Sequence, residues 1–162
     1  MSQVNLNTKG EAELAKEPVK APPFWPTDKM DEYLVAVALR KKIDPTGNVD
    51  IFNGDSVAQY GAELQAMSGS AAELMARMRM AMEEARNIAI VAAMTDEKVD
   101  FGKLSATLQN KWVDGKIAIY LAAYTYCEYI NKRLSYALDY TRSLLSFIKE
   151  DLYRNRSNQQ PR

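Results

Sequence analysis

Residues 114–153 read DGKIAIYLAAYTYCEYINKRLSYALDYTRSLLSFIKEDLY, and this stretch decides the fold. It holds no proline and a single glycine, Gly115. Tyr120, Tyr124, Cys127, Asn131, Leu134, Leu138, Thr141, Leu145, Ile148 and Leu152 recur at alternating gaps of four and three. That is a heptad seam, and only Asn131 and Thr141 in it are polar. A second run lies beside the seam: Tyr126, Ile130, Arg133, Ala137, Tyr140, Leu144 and Phe147. The remaining positions are mostly charged or small and polar. The pattern predicts one long helix with a broad apolar face and a narrow wet one.

Working outward, the N-terminal side breaks into shorter pieces. Residues 1–26 read as an extended arm, because Pro18, Pro22, Pro23 and Pro26 forbid a continuous helix. Phe24 and Trp25 close the arm, and two large aromatics are costly to leave in water. They dock either on the chain's own first helix or on a neighbouring subunit. A first helix is expected from about Asp28 to Lys42, capped by Thr27 or Asp28, with Met30, Tyr33, Leu34, Val37 and Ala38 as its buried stripe. Asp31 and Glu32 suit its first turn, and Arg40, Lys41 and Lys42 its last.

Asp44-Pro45-Thr46-Gly47-Asn48 has the chemistry of a turn, and a short hairpin fits residues 44–54. The acids and amides here have a calcium-loop spacing, but Val49 stands where the loop needs glycine and Asp55 where it needs glutamate. No metal is therefore expected. Asp55 or Ser56 would cap a second helix ending near Met67. Ser68-Gly69-Ser70 reads as an interruption, and Ser70 with Glu73 as the capping box of a third helix running to about Met94. The methionines of this region suit an adaptable core. Thr95–Val99 is a polar connection, and Phe101, Leu104, Leu108 and Trp112 mark a short helix before the spine begins at Asp114. The organisation is thus an arm (1–26), a bundle of three to four helices (27–154) and a polar flexible tail (155–162). The fold class is all-α.

Composition narrows the chemistry. Lysine and arginine together number 21, aspartate and glutamate 21, so the formal charge is zero. A protein that coats nucleic acid by charge alone carries a basic surplus. There is no histidine, which removes the commonest general base and zinc ligand. One cysteine cannot make an internal disulfide, and Cys127 sits on the apolar seam. Glu83-Glu84 and Asp96-Glu97 are sequence neighbours whose side chains point apart on a helix. No phosphate-cradling glycine loop is present. These absences point to a protein that is not an enzyme and holds no cofactor. No apolar run reaches the ~18 residues that span a bilayer, and residues 1–14 lack a hydrophobic signal core. A protein kept in the cytosol or carried in an assembled particle is expected.

Two features are more specific. Asn131 sits in the seam, where a polar residue fixes register and oligomer state. Seven of the nine tyrosines lie between Tyr120 and Tyr153. Tyr129 and Tyr136 fall on the polar side of the spine, near Lys132, Arg133, Arg142 and Lys149. Aromatics among cations suit a subunit interface or the stacking of single-stranded bases. The interface reading takes Phe24, Trp25, Tyr124, Tyr129, Asn131, Tyr136, Leu138, Tyr140 and Leu145 as contact residues between copies. Other particle proteins are further partners on this reading. The nucleic-acid reading takes Lys132, Arg133, Arg142 and Lys149.

Ala137-Leu138-Asp139, Arg142-Ser143 and Ile148-Lys149 resemble the C-terminal helix of the T4-type phage recombination mediator family (UvsY-like). Leu104-Ser105-Ala106, Val113-Asp114 and Cys127 are similar too, about one heptad out of register. The resemblance covers the last third of the chain. It implies a helical oligomer that holds single-stranded DNA and helps load a recombinase. The chain departs from that pattern at Leu144-Leu145-Ser146, where the family carries Arg-Gly-Phe. It departs again in the Met/Ala-rich stretch from Arg77 to Arg86, where the family is rich in lysine and arginine, and in the proline-rich arm, which the family lacks. From residues alone, the expectation is a self-assembling building block of a particle, filament or connector. The alternatives are the mediator and a helical adaptor or chaperone-like module.

Overall fold

A computed structural model describes residues 22–43, 49–96, 98 and 100–158. It contains four α-helices: α1 (Met30–Ile43), α2 (Gly54–Thr95), α3 (Ala106–Lys116) and α4 (Ala118–Asn158). Single 3₁₀ turns precede α1 (Thr27–Lys29) and α3 (Phe101–Lys103). The all-α expectation holds, and there is no strand among the described residues. Residues 49–53 form a turn, and the rest of the candidate hairpin and calcium-like spacing, residues 44–48, lies outside the described residues.

The frame is a long antiparallel hairpin. At 1.5 Å per residue, α2 and α4 are each roughly 60 Å long. Their register can be read at two glycines. A Cβ placed on Gly54 would lie 3.5 Å from Ile148 Cγ2, and one on Gly61 would lie 3.5 Å from Thr141 Oγ1. Seven residues forward on α2 is seven residues back on α4, so the two heptads run in step. Thr141 is buried, and its hydroxyl avoids a desolvation penalty by donating to the Leu138 carbonyl at 2.8 Å.

The sequence reading split α2 at Ser68-Gly69-Ser70, but the helix is continuous there. Its buried residues as far as Ala81 are Val57, Leu64, Met67, Ala71, Leu74, Met78 and Ala81 itself. Tyr60 fits the same row, and the gaps stay at three and four across the Ser-Gly-Ser stretch. A real break would have shifted that phase. Gly69 is exposed on the far side, and Ser70 is exposed at the edge facing Asp31 and Val35 of the first helix. Glu73 does not close a capping box but pairs with Arg77 at 2.6 Å. The cap of α2 is Asn53, whose side chain accepts from the backbone N–H groups of Asp55 and Ser56, rather than either of those residues.

Helix α1 lies in the groove between the two long helices. Tyr120 donates to Asp28 Oδ1 at 3.1 Å near its start, and Tyr60 donates to the Ile43 carbonyl at 2.9 Å at its end. It therefore runs parallel to α4 and antiparallel to α2. Its buried face is Ala36, Leu39 and Ile43, with Tyr33 packed against the same core. Leu34 and Ala38, expected inside, are exposed. The helix is apolar round most of its circumference, so periodicity did not select the face. Its expected cap also differs: Thr27 and Asp28 belong to the 3₁₀ turn, which has no side-chain cap.

A second, smaller cluster closes the other end of the hairpin, with Ala89, Ala93, Phe101, Val113 and Ile117 buried together. Ile117 is a one-residue break (φ −102°, ψ 14°) between α3 and α4. Asp114 and Gly115 therefore end α3 rather than begin the spine. At the opposite end α4 continues to Asn158, so the expected flexible tail is helical over its first residues.

Candidate assembly interface

Turning α2 and α1 onto α4 consumes most of its apolar surface. Cys127, Ile130 and Leu134 are buried, while Tyr124, Tyr126, Ala137 and Leu138 are partly buried against the same core. Asn131 and Leu145 are half-buried on the seam. Tyr124 and Leu138 are thus taken up by the chain's own core, and Asn131 and Leu145 keep only part of their surface free.

The arm aromatics are also placed within the chain. Trp25 is only 2% exposed and belongs to the central core. Its indole N–H donates to the Lys29 carbonyl at 2.6 Å. Its ring meets Tyr33 at 5.4 Å and Tyr126 edge-on at 6.1 Å. Phe24 rests on Tyr126 at 5.9 Å but keeps 42% exposure. Of the two, only Phe24 retains surface to offer.

Ile119, Leu121, Leu152 and Tyr153 are exposed at scattered angles, but four other aromatics of α4 form a row. Tyr129, Tyr136, Tyr140 and Phe147 are 45%, 71%, 56% and 67% exposed. At 100° per residue they fall within about 20° of one line along α4. Four exposed aromatics on one line exceed the scattered apolar exposure normal for a monomer. Phe147 was not among the sequence candidates, although its heptad spacing from Tyr140 was visible. Arg133 borders the row, donating to the Tyr129 hydroxyl at 3.1 Å with its guanidinium 5.7 Å from that ring. Tyr126 and Tyr129 stand 6.5 Å apart, so the row joins the Phe24 cluster at one end.

The four candidate cations do not form one stripe. Lys132 and Arg133 flank the aromatic row. Arg142 and Lys149 stand about 140–160° round the helix from it. Lys132 is paired with Glu128 at 3.6 Å, and Arg142 with Asp139 at 3.1 Å. Pairing within the chain reduces what they offer a polyanion.

Elsewhere the chemistry is quiet. No group of three metal-ligating side chains occurs among the described residues. A cleft of about 450 Å³ lies where the first 3₁₀ turn meets α2 and the α3–α4 break, with Asp28, Glu84 and Lys116 on its rim and Ala81, Ala85 and Ile117 within. No helix among the described residues is long and apolar enough to cross a membrane.

Cys127 is 1% exposed, and its thiol is pushed up from 9.0 to about 12, first by burial and then by the Glu32 carboxylate. Native protein at pH 8 should therefore resist iodoacetamide, with labelling complete only in denaturant. The unfolded thiol ionises first, so the stability it carries is intact below pH 9 and is lost as pH rises towards 12. Mass spectrometry of native and unfolded samples checks the first point, and a flatter alkaline stability curve for Cys127→Ala checks the second. Rapid labelling of the folded chain would mean that the α2–α4 seam opens.

The chain matches no protein-family model, no curated protein and no solved structure.

Proposed function

We propose that this protein is a non-enzymatic, self-assembling subunit of a particle, filament or connector, whose copies meet through the outer face of α4. The observation that carries this reading is the exposed row of Tyr129, Tyr136, Tyr140 and Phe147 along α4. Aromatics with arginine are what protein interfaces enrich. A rigid two-helix frame also suits a building block, because it holds the row straight over about 27 Å.

The second reading is an oligomeric single-strand-binding mediator. The C-terminal resemblance favours it, as do tyrosines beside Lys132 and Arg133, since stacked bases contribute ~1–3 kcal/mol each. Zero net charge and paired cations weigh against it.

Sedimentation of the wild type and of Tyr129→Ala/Tyr136→Ala, at low and high salt, with and without oligonucleotide, separates the two. The expected result is a wild type that associates without nucleic acid and a double variant that stays folded and loses most of that association. Both tyrosines are exposed, so helicity should not change. Tight, salt-sensitive oligonucleotide binding, lost in a variant whose assembly is intact, would overturn the assembly reading in favour of the mediator.

A further inference from the structure

We infer that the occupant of the α4 row is the same row of a second copy, laid antiparallel about a two-fold axis between Thr141 and Arg142; this rests on the assembly role proposed above. The argument is charge complementarity along one helix. Lys132-Arg133 and Glu150-Asp151 are separated by 18 residues. Eighteen residues make five turns, so each acid repeats the angular position of its base, about 27 Å further along. Lys132, which also holds Glu128 of its own helix at 3.6 Å, and Glu150 edge the aromatic row on one side, and Arg133 and Asp151 on the other.

In a parallel pair, like charges meet at both ends. In an antiparallel pair, residues on the same edge face each other, which brings Lys132 to Glu150 and Arg133 to Asp151 of the second copy. The two-fold repeats both contacts. The same register sets Tyr136 against Phe147 of the second copy and Tyr140 against Ser143. Charge pairing and ring stacking thus agree on one alignment, which independent surface charges would have no reason to do.

The size is also sufficient. The four rings, about 60% exposed on average, offer roughly 450 Å² per copy. With the flanking side chains, two copies pass the ~1,000 Å² that a specific interface needs. An interface of this kind is isologous and closes at two copies. Growth beyond a dimer would then use other surfaces.

The experiment reverses the charges in three variants of the full chain. Lys132→Glu/Arg133→Glu and Glu150→Lys/Asp151→Lys should each weaken self-association about ten-fold or more, because four facing pairs turn repulsive. The four-fold swap should restore it towards wild type. Lys132, Glu150 and Asp151 are exposed and Arg133 is half-buried beside Tyr129, and circular dichroism checks that each variant remains helical. Sedimentation equilibrium gives the dissociation constants. Recovery in the swap supports the antiparallel pair. Reversals that weaken association without recovery in the swap overturn the antiparallel alignment. A wild type that associates regardless of these charges places the contact elsewhere, sinking this inference while leaving the assembly role standing. A wild type that stays monomeric at all concentrations removes both. If removing residues 1–21 from that monomer then lets it dimerise, the arm rather than a second copy is the occupant.

Discussion

Trp25→Ala should destabilise the fold by about 3–5 kcal/mol, the range for removing a large buried aromatic. Three losses combine. The ring leaves a cavity between α1 and α4, where it contacts Tyr33 and Tyr126. The apolar area it buried returns to water. The Lys29 carbonyl loses its indole donor. Phe24→Ala serves as the control one residue away. Phe24 is 42% exposed and makes one described ring contact, so its cost should fall well below that of Trp25. Urea unfolding followed by circular dichroism gives both values. Equal and small effects would show that Trp25 is not part of the core, and an assembly defect in stable Trp25→Ala protein would return the arm to an intermolecular role. The same contacts imply that cutting the chain after residue 26 removes a core residue along with the arm.

Trp25 illustrates what the sequence could and could not disclose. The cost of exposing PPFWP was legible, and it required the aromatics to dock somewhere. Whether they docked in cis depended on Tyr126, which is about a hundred residues away, and no local pattern links the two. The spine was legible because heptad spacing persists without proline for more than five turns. That Tyr129 and Tyr136 would be left outside was legible from their place on the polar side; that Tyr140 would join them was not. Tyr140 continues the run of Tyr126 two heptads on, but Phe24, Trp25 and Arg40 meet Tyr126 and leave Tyr140 exposed. The acid-base repeat that underlies the proposed pairing was present throughout. It becomes meaningful only once Arg142 and Lys149 are seen to leave the face that Lys132, Arg133, Glu150 and Asp151 share.

The continuity of α2 supplies the second large effect. Gly69→Pro should cost about 3 kcal/mol or more, because proline removes a helical hydrogen bond and clashes with the preceding turn. Gly69→Ala should instead stabilise by about 0.5–1 kcal/mol. The added methyl meets nothing within 4 Å, and glycine is the costlier residue to order in a helix. These opposite signs follow only if Ser68-Gly69-Ser70 is helical. In a loop joining two helices, alanine would gain little and proline would be tolerated. The local reading favoured that loop because serine and glycine are good caps and breakers. It lost to burial on the opposite face, where Met67, Ala71 and Leu74 hold the seam with α4. Removing that packing for one turn costs more than ordering three poor helix formers, whose propensity deficits are each below about 1 kcal/mol. Denaturant unfolding of the two variants beside the wild type decides the matter. Near-native stability for Gly69→Pro would divide α2 in two, and the straight frame that supports the α4 row would then have a hinge at its middle.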